Sequence, residues 1–158
     1  GHVGLLATAG TVRSESYPLE IKAFPDIQVT GMACPMWVPL VENKEYDGDG
    51  ADYFVKKYID TILQKDPDID TLILGCTHYP CFCKDTADTP SHIRLVTQGE
   101  YVSESLKDYL LRHPDMDARC SKNKRREFLT TESVEKFRES ASVFLHCTDV
   151  HVRNVQLE

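Results

Sequence analysis

Short apolar runs separated by amphipathic stretches set the rhythm of this chain. Val3 to Ala7, Ile27 to Ala33, Asp70 to Gly75 and Ile93 to Val96 read as strands, and the first is mostly branched or leucine and alternates little with polar residues. Strands buried on both faces of a parallel sheet read this way. Cys34-Pro35 ends the second run by removing a backbone donor, and a loop through Trp37 to Glu45 follows. Between the runs lie helical patterns. Ser14 to Phe24 carries a stripe of Tyr17, Leu19, Ile21 and Phe24, with Pro18 suited to a first turn. From Gly50, the residues Tyr53, Phe54, Tyr58, Ile59, Ile62 and Leu63 recur at three- and four-residue spacing and stop before Pro67. Strands alternating with helices predict an α/β fold: a doubly wound, mostly parallel sheet flanked by helices.

Beyond Gly99 the pattern restarts. Val102, Leu106, Tyr109 and Leu110 share one helical face, and His113-Pro114 ends it. Glu127 to Thr131 reads as a short strand, Ser133 to Ala141 as a helix with Val134 and Phe137 inward, and Val150 to Leu157 as a terminal strand. No internal repeat or low-complexity segment interrupts this order.

With 158 residues, 41% of them hydrophobic, the chain can bury a core of one domain or slightly more. A formal charge of -7 argues against a phosphate-coated partner, so no nucleic acid is expected. The one basic run, Lys122 to Arg126, reads as a solvated loop. No apolar stretch nears the roughly 18 to 20 residues that cross a bilayer, and no signal sequence opens the chain, so a cytoplasmic location away from membranes is expected. The abrupt apolar start at Gly1, without methionine, suits a piece of a longer protein. Six irregularly spaced cysteines suit reduced thiols better than a disulfide framework. Cys76, Cys81 and Cys83 with His78 lack the spacing of structural zinc sites, so no metal is expected, and Cys81 and Cys83 read as packing residues.

The chemistry centres on Leu74-Gly75-Cys76-Thr77-His78-Tyr79-Pro80. A strand here delivers a thiol to its carboxyl end, where ligands bind in open α/β sheets. A hydroxyl and an imidazole stand beside it, and Pro80 suits the start of a following helix. A thiol works as base or nucleophile only as the thiolate, which a neighbouring imidazole favours. Spacing alone leaves two readings of Cys76 open, a catalytic thiol and an inert packed one.

The same heptapeptide resembles the second catalytic-cysteine motif of the glutamate racemases, within the aspartate/glutamate racemase family. Val3 to Val12 resembles the strand and threonine loop that open that family's second domain. Ala33 to Glu42 resembles its next active-site loop, and Gln98 to Val102 and Phe128 to Thr131 its C-terminal part. The resemblance implies a cofactor-independent enzyme that interconverts L- and D-glutamate for peptidoglycan synthesis. Two cysteines on opposite faces would exchange the α-proton. Cys76 matches the second of these, and His78 the residue that assists it or contacts the ligand. Glu42 matches the loop carboxylate that orients His78 or the substrate ammonium. Thr77, Thr8 and Thr11 would hold the substrate's carboxylate and amine, although each alone reads as a turn or capping residue. Cys34 and Trp37 read as packing.

The chain also departs from the family pattern. The first domain, with its aspartate-serine loop and Cys-Asn-Thr motif, has no counterpart, and no Asn-Thr pair follows any cysteine. In the family's architecture residues 1–98 form the second domain and 99–158 return to complete the first. The expected partners are thus glutamate, the missing N-terminal half and a second copy in a homodimer, and the chain alone is expected not to racemise. The alternatives are an aspartate or broader amino-acid racemase of the same superfamily, and a non-catalytic α/β binding module. A cysteine hydrolase or redox protein is disfavoured for want of C-x-x-C and of a clear nucleophile-base-carboxylate set.

Overall fold

The structure, a computed structural model, describes residues 1–82, 89–122, 126–145 and 150–157. Cys83 and the polar stretch after it, and the centre of the basic run at 123–125, lie outside the described residues. The chain divides into two compact units, Gly1–Glu104 and Ser105–Glu158.

The first unit is built on four parallel strands, β1 (His2–Ala7), β2 (Gln28–Ala33), β3 (Thr71–Leu74) and β4 (Arg94–Thr97), in the order β2-β1-β3-β4. The expected parallel α/β sheet flanked by helices is therefore present. β1 is interior to the sheet and is buried from Gly4 to Ala7. Each parallel step needs a crossover, which the intervening helices supply. Helices α1 (Ala9–Ser14) and α2 (Ser16–Ile21) link β1 to β2, and α3 (Trp37–Glu42) and α4 (Asp49–Lys65) link β2 to β3. Of the expected α4 stripe, Tyr58, Ile59 and Ile62 are buried and Phe54 and Leu63 half-buried, whereas Tyr53 is 60% exposed and the buried face continues through Ala51 and Val55 instead. It joins Leu6, Leu72, Leu74, Trp37, Tyr79 and Phe82 in one core.

Two local expectations are corrected. The single helix over 14–24 is two, because Thr8 caps a turn beginning at Ala9 and Glu15 breaks the run in the left-handed region at φ 53°. Pro18 does fall in the first turn of α2, where an amide donor is not required. The loop over 37–45 contains α3, whose Trp37 and Val41, one turn apart, are both buried.

Helix α5 (Gln98–Arg112) follows β4 and runs through the boundary of the two units. Most of its expected inward face is open to solvent in this chain: Val102 is 63% exposed, Leu106 55% and Tyr109 39%, while Leu110 is half-buried. In the second unit Pro114 opens α6 (Pro114–Arg119), a helix the sequence reading did not anticipate. Strands β5 (Phe128–Thr130) and β6 (Val152–Asn154) pair in parallel, both shorter than the apolar pattern suggests. Helix α7 (Val134–Leu145) lies against β6, with Phe137 near Phe128 at 6.3 Å between ring centres.

Candidate active site

Register fixes which residues leave the sheet together. Leu6 pairs with Leu74 and Ala7 with Ala33, so Thr8, Cys34 and Cys76 emerge at one level from the carboxyl ends of β1, β2 and β3. The amides of Gly75 and Cys34 donate to the carbonyls of Leu6 and Ala7, extending the ladder to the brink of the loops. Glycine is needed before the thiol: a Cβ on Gly75 would stand 2.8 Å from Leu5 Cδ1 and 3.1 Å from Ala7 Cβ. The loop carrying Cys76 is thereby pressed against β1.

Cys76 Sγ lies 3.6 Å from His78 Nδ1, and His78 Nε2 lies 3.2 Å from Glu42 Oε1. A carboxylate only accepts, so its contact fixes the proton on Nε2 and turns Nδ1 toward the sulfur as an acceptor. Cys76 and His78 are half-buried, whereas the Glu42 side chain is 65% exposed. In that exposure the contact adds little stability, and its effect is to orient the imidazole. The arrangement can take a proton from the thiol, hold it and return it.

An aromatic wedge sets this geometry. Trp37 is fully buried, edge-on to Tyr79 at 4.6 Å between centres, and 5.2 Å from Phe82. Tyr79 and Phe82 lie in the 3-10 turn Tyr79–Phe82 directly after His78, and Pro80 falls inside it. The Tyr79 hydroxyl also donates to the Cys34 carbonyl at 3.4 Å. One end of α3 thus anchors the turn while its other end presents Glu42. Burial, with the neighbouring Cys34 and Cys76, holds the Tyr79 phenol above its ordinary range, so it stays a neutral donor. The sequence reading assigned Trp37 to packing, which is right. It missed that this packing ties Glu42 to the His78 turn; Trp37 five residues before Glu42 and Tyr79 three after Cys76 were the available signal.

The threonines separate into two places. Thr8 Oγ1 accepts from the Thr11 amide at 3.3 Å and lies 3.0 Å from Thr11 Oγ1, so the pair caps α1 and brings two hydroxyls to the edge of the sheet. Thr77 is exposed beside Cys76. Cys34 shares the edge but not the chemistry. It is 1% exposed, and burial pushes its thiol up to about 12, against a smaller opposing effect of its hydrogen bond with the Ala7 backbone.

At the opposite end of the sheet His2, Asp66 and Asp68 place potential ligand atoms within 4.8 Å of one another. Here Asp66 is taken up by His2 Nδ1 at 3.0 Å, Thr30 Oγ1 at 3.1 Å and the Asp68 amide at 3.2 Å. The His2 hydrogen bond is the main reason its carboxyl titrates below the usual range. The cluster ties three segments of the fold together.

No family model matches the chain. Individual relatives do. It is 35% identical over 160 residues to the glutamate racemase of Enterococcus faecalis, covering 98% of this chain and 57% of the relative. Among solved structures, the glutamate racemase of Francisella tularensis in complex with D-glutamate superposes with a TM-score of 0.84 at 29% identity, over 98% of this chain and 57% of that one. The glutamate racemase of Thermus thermophilus, solved in complex with beta-chloro-D-alanine, gives 0.76 at 31% identity, over 99% and 57%.

Proposed function

Because the chain belongs with the glutamate racemases in sequence and fold, while spanning only about 57% of their length, we propose that it is the portion supplying one of two acid-base thiols in a glutamate racemase. The supporting observation is the linked set Cys76, His78 and Glu42 at the carboxyl edge of the sheet. Inversion at an α-carbon requires proton removal on one face and delivery on the other, so each base must be rigidly aimed and within about 3 Å of the proton it moves. A thiol at the end of a central parallel strand meets that demand.

In this reading Cys76 exchanges the α-proton on one face. His78 accepts the thiol proton at Nδ1 and returns it, and Glu42 holds the imidazole in the required tautomer. Thr77 and Thr8 hold the substrate carboxylate and amine, with Thr11 assisting from the same loop as Thr8. The developing carbanion is stabilised by fixed dipoles in a site closed from water. No cofactor takes part, and pyridoxal phosphate is not required.

The opposite base comes from the part of the family's length that this chain does not span. Residues 1–98 form one domain of the whole enzyme, and 99–158 complete the other. The open face of α5, with Val102, Leu106 and Tyr109, is the apolar surface that such a neighbour covers. The whole enzyme is a cytoplasmic homodimer that provides D-glutamate for peptidoglycan. Among the described residues no helix is long and apolar enough to cross a membrane.

The test joins this chain to the part of the Enterococcus faecalis enzyme that it does not span and follows optical rotation of L- and D-glutamate. The joined protein should interconvert them and lose turnover by on the order of 10²–10⁴-fold on Cys76→Ala, while the 158-residue chain alone does not racemise. A folded joined protein that is inactive, or that prefers aspartate, would contradict the reading.

A further inference from the structure

The sequence disfavours a thiol hydrolase because no nucleophile-base-carboxylate set is visible along the chain. The fold assembles one: sulfur to Nδ1 at 3.6 Å, Nε2 to carboxylate at 3.2 Å, across 36 residues of sequence. We propose that Cys76, His78 and Glu42 also act as an acyl-transfer relay, giving this chain a second activity, hydrolysis of small activated acyl esters.

The relay meets the geometric requirements of nucleophilic catalysis, a nucleophile in reach of a base that is itself oriented by a third group. The sulfur is half-buried and Thr77 beside it exposed, so an acyl group can approach without any further chain. The step balances as follows. His78 Nδ1 takes the thiol proton, the sulfur bonds to the acyl carbon, and the bond to the leaving oxygen breaks with that proton following it. A water molecule then attacks the thioester, giving its proton to His78. The carbon-sulfur bond breaks, the carboxylic acid leaves, and His78 returns the proton to the sulfur.

The described geometry offers no pair of donors aimed at the developing oxyanion. That restricts the activity to esters whose alcohol is already a good leaving group, since oxyanion stabilisation supplies much of the rate on poor ones. The chain carries its own controls. His2 and Asp66 form a similar pair at 3.0 Å with no thiol on the ring. Cys120 is an exposed thiol whose sulfur lies 3.4 Å from the Met116 carbonyl.

The test is 4-nitrophenyl acetate with the chain itself, following nitrophenolate release and mapping the acetyl group by peptide mass spectrometry. The expected result is a burst of one nitrophenolate per chain, then turnover, with the acetyl group on Cys76. Cys76→Ser should remove the burst, and His78→Asn should slow acylation roughly tenfold or more with circular dichroism unchanged. Glu42 acts as a positioning residue, so Glu42→Gln should shift the imidazole ¹⁵N resonances of His78 away from the Nε2-protonated form as well as slow acylation. Acetylation of Cys120 ahead of Cys76, or acylation by His78→Asn at the unaltered rate, would overturn the proposal. The assay needs neither glutamate nor a second base, so it fails or succeeds independently of the racemase assay.

Discussion

Cys34 and Cys76 leave the same carboxyl edge of the sheet, either side of Thr8, yet their burial and their neighbours differ. Cys34 is 1% exposed, its sulfur lies 3.8 Å from the Met32 carbonyl, and burial pushes it up to about 12. Cys76 is half-buried with an imidazole at 3.6 Å. Position at a strand end therefore does not confer chemistry. What does is a turn that stops short of burying the sulfur and folds an imidazole back beside it.

The largest expected effect concerns that contrast directly. At pH 8 the native protein should protect Cys34 from iodoacetamide by on the order of 10³-fold relative to the unfolded chain, since raising a thiol from 9.0 to about 12 removes that much thiolate. Cys76 should be labelled first in a mass map of the folded protein. Equal rates would dissolve the distinction between the two thiols.

Removing the wedge that shapes the reactive turn comes next. Trp37→Ala should cost about 3–5 kcal/mol by denaturant unfolding, as for other fully buried aromatics. A version still folded should have lost the Glu42 to His78 contact as well. Alkali probes the other thiol. Cys34 has a higher pKa folded than unfolded, so its contribution to stability is complete below pH 9.0 and is lost as pH rises through about 12. Unfolding free energy should decline over that window, and Cys34→Ala should flatten the decline. The smallest effect is at the residue between the thiols: Thr8→Ala should cost about 1 kcal/mol for the lost α1 cap. If Thr8 also holds substrate, the joined protein should show a rise in KM beyond any loss of stability.

The strands and α4 were legible because their signals are local: branched runs for a buried parallel sheet and a three-four apolar stripe for the helix. The break at Glu15 was not, since a non-glycine residue at φ 53° leaves no mark in hydrophobic spacing. Nor was α3, whose few turns were masked by Pro35 and Pro39 although Trp37 and Val41 carried the helical interval. The open α5 face shows that periodicity identifies an apolar stripe without saying what covers it. Cys76 and His78 stood two residues apart in sequence. Glu42 was named only through family resemblance, because 36 residues and a crossover separate it from the imidazole it meets.

The central claim is that Cys76 moves the α-proton on one face of glutamate. Proton NMR in deuterated buffer tests it most directly, following washout of the α-proton from L- and D-glutamate by the joined protein with and without Cys76→Ala. The account predicts that the intact protein exchanges both enantiomers, and that the variant loses racemisation and exchange of one enantiomer. Washout of both at unchanged rates in Cys76→Ala would show that another group performs the proton transfer.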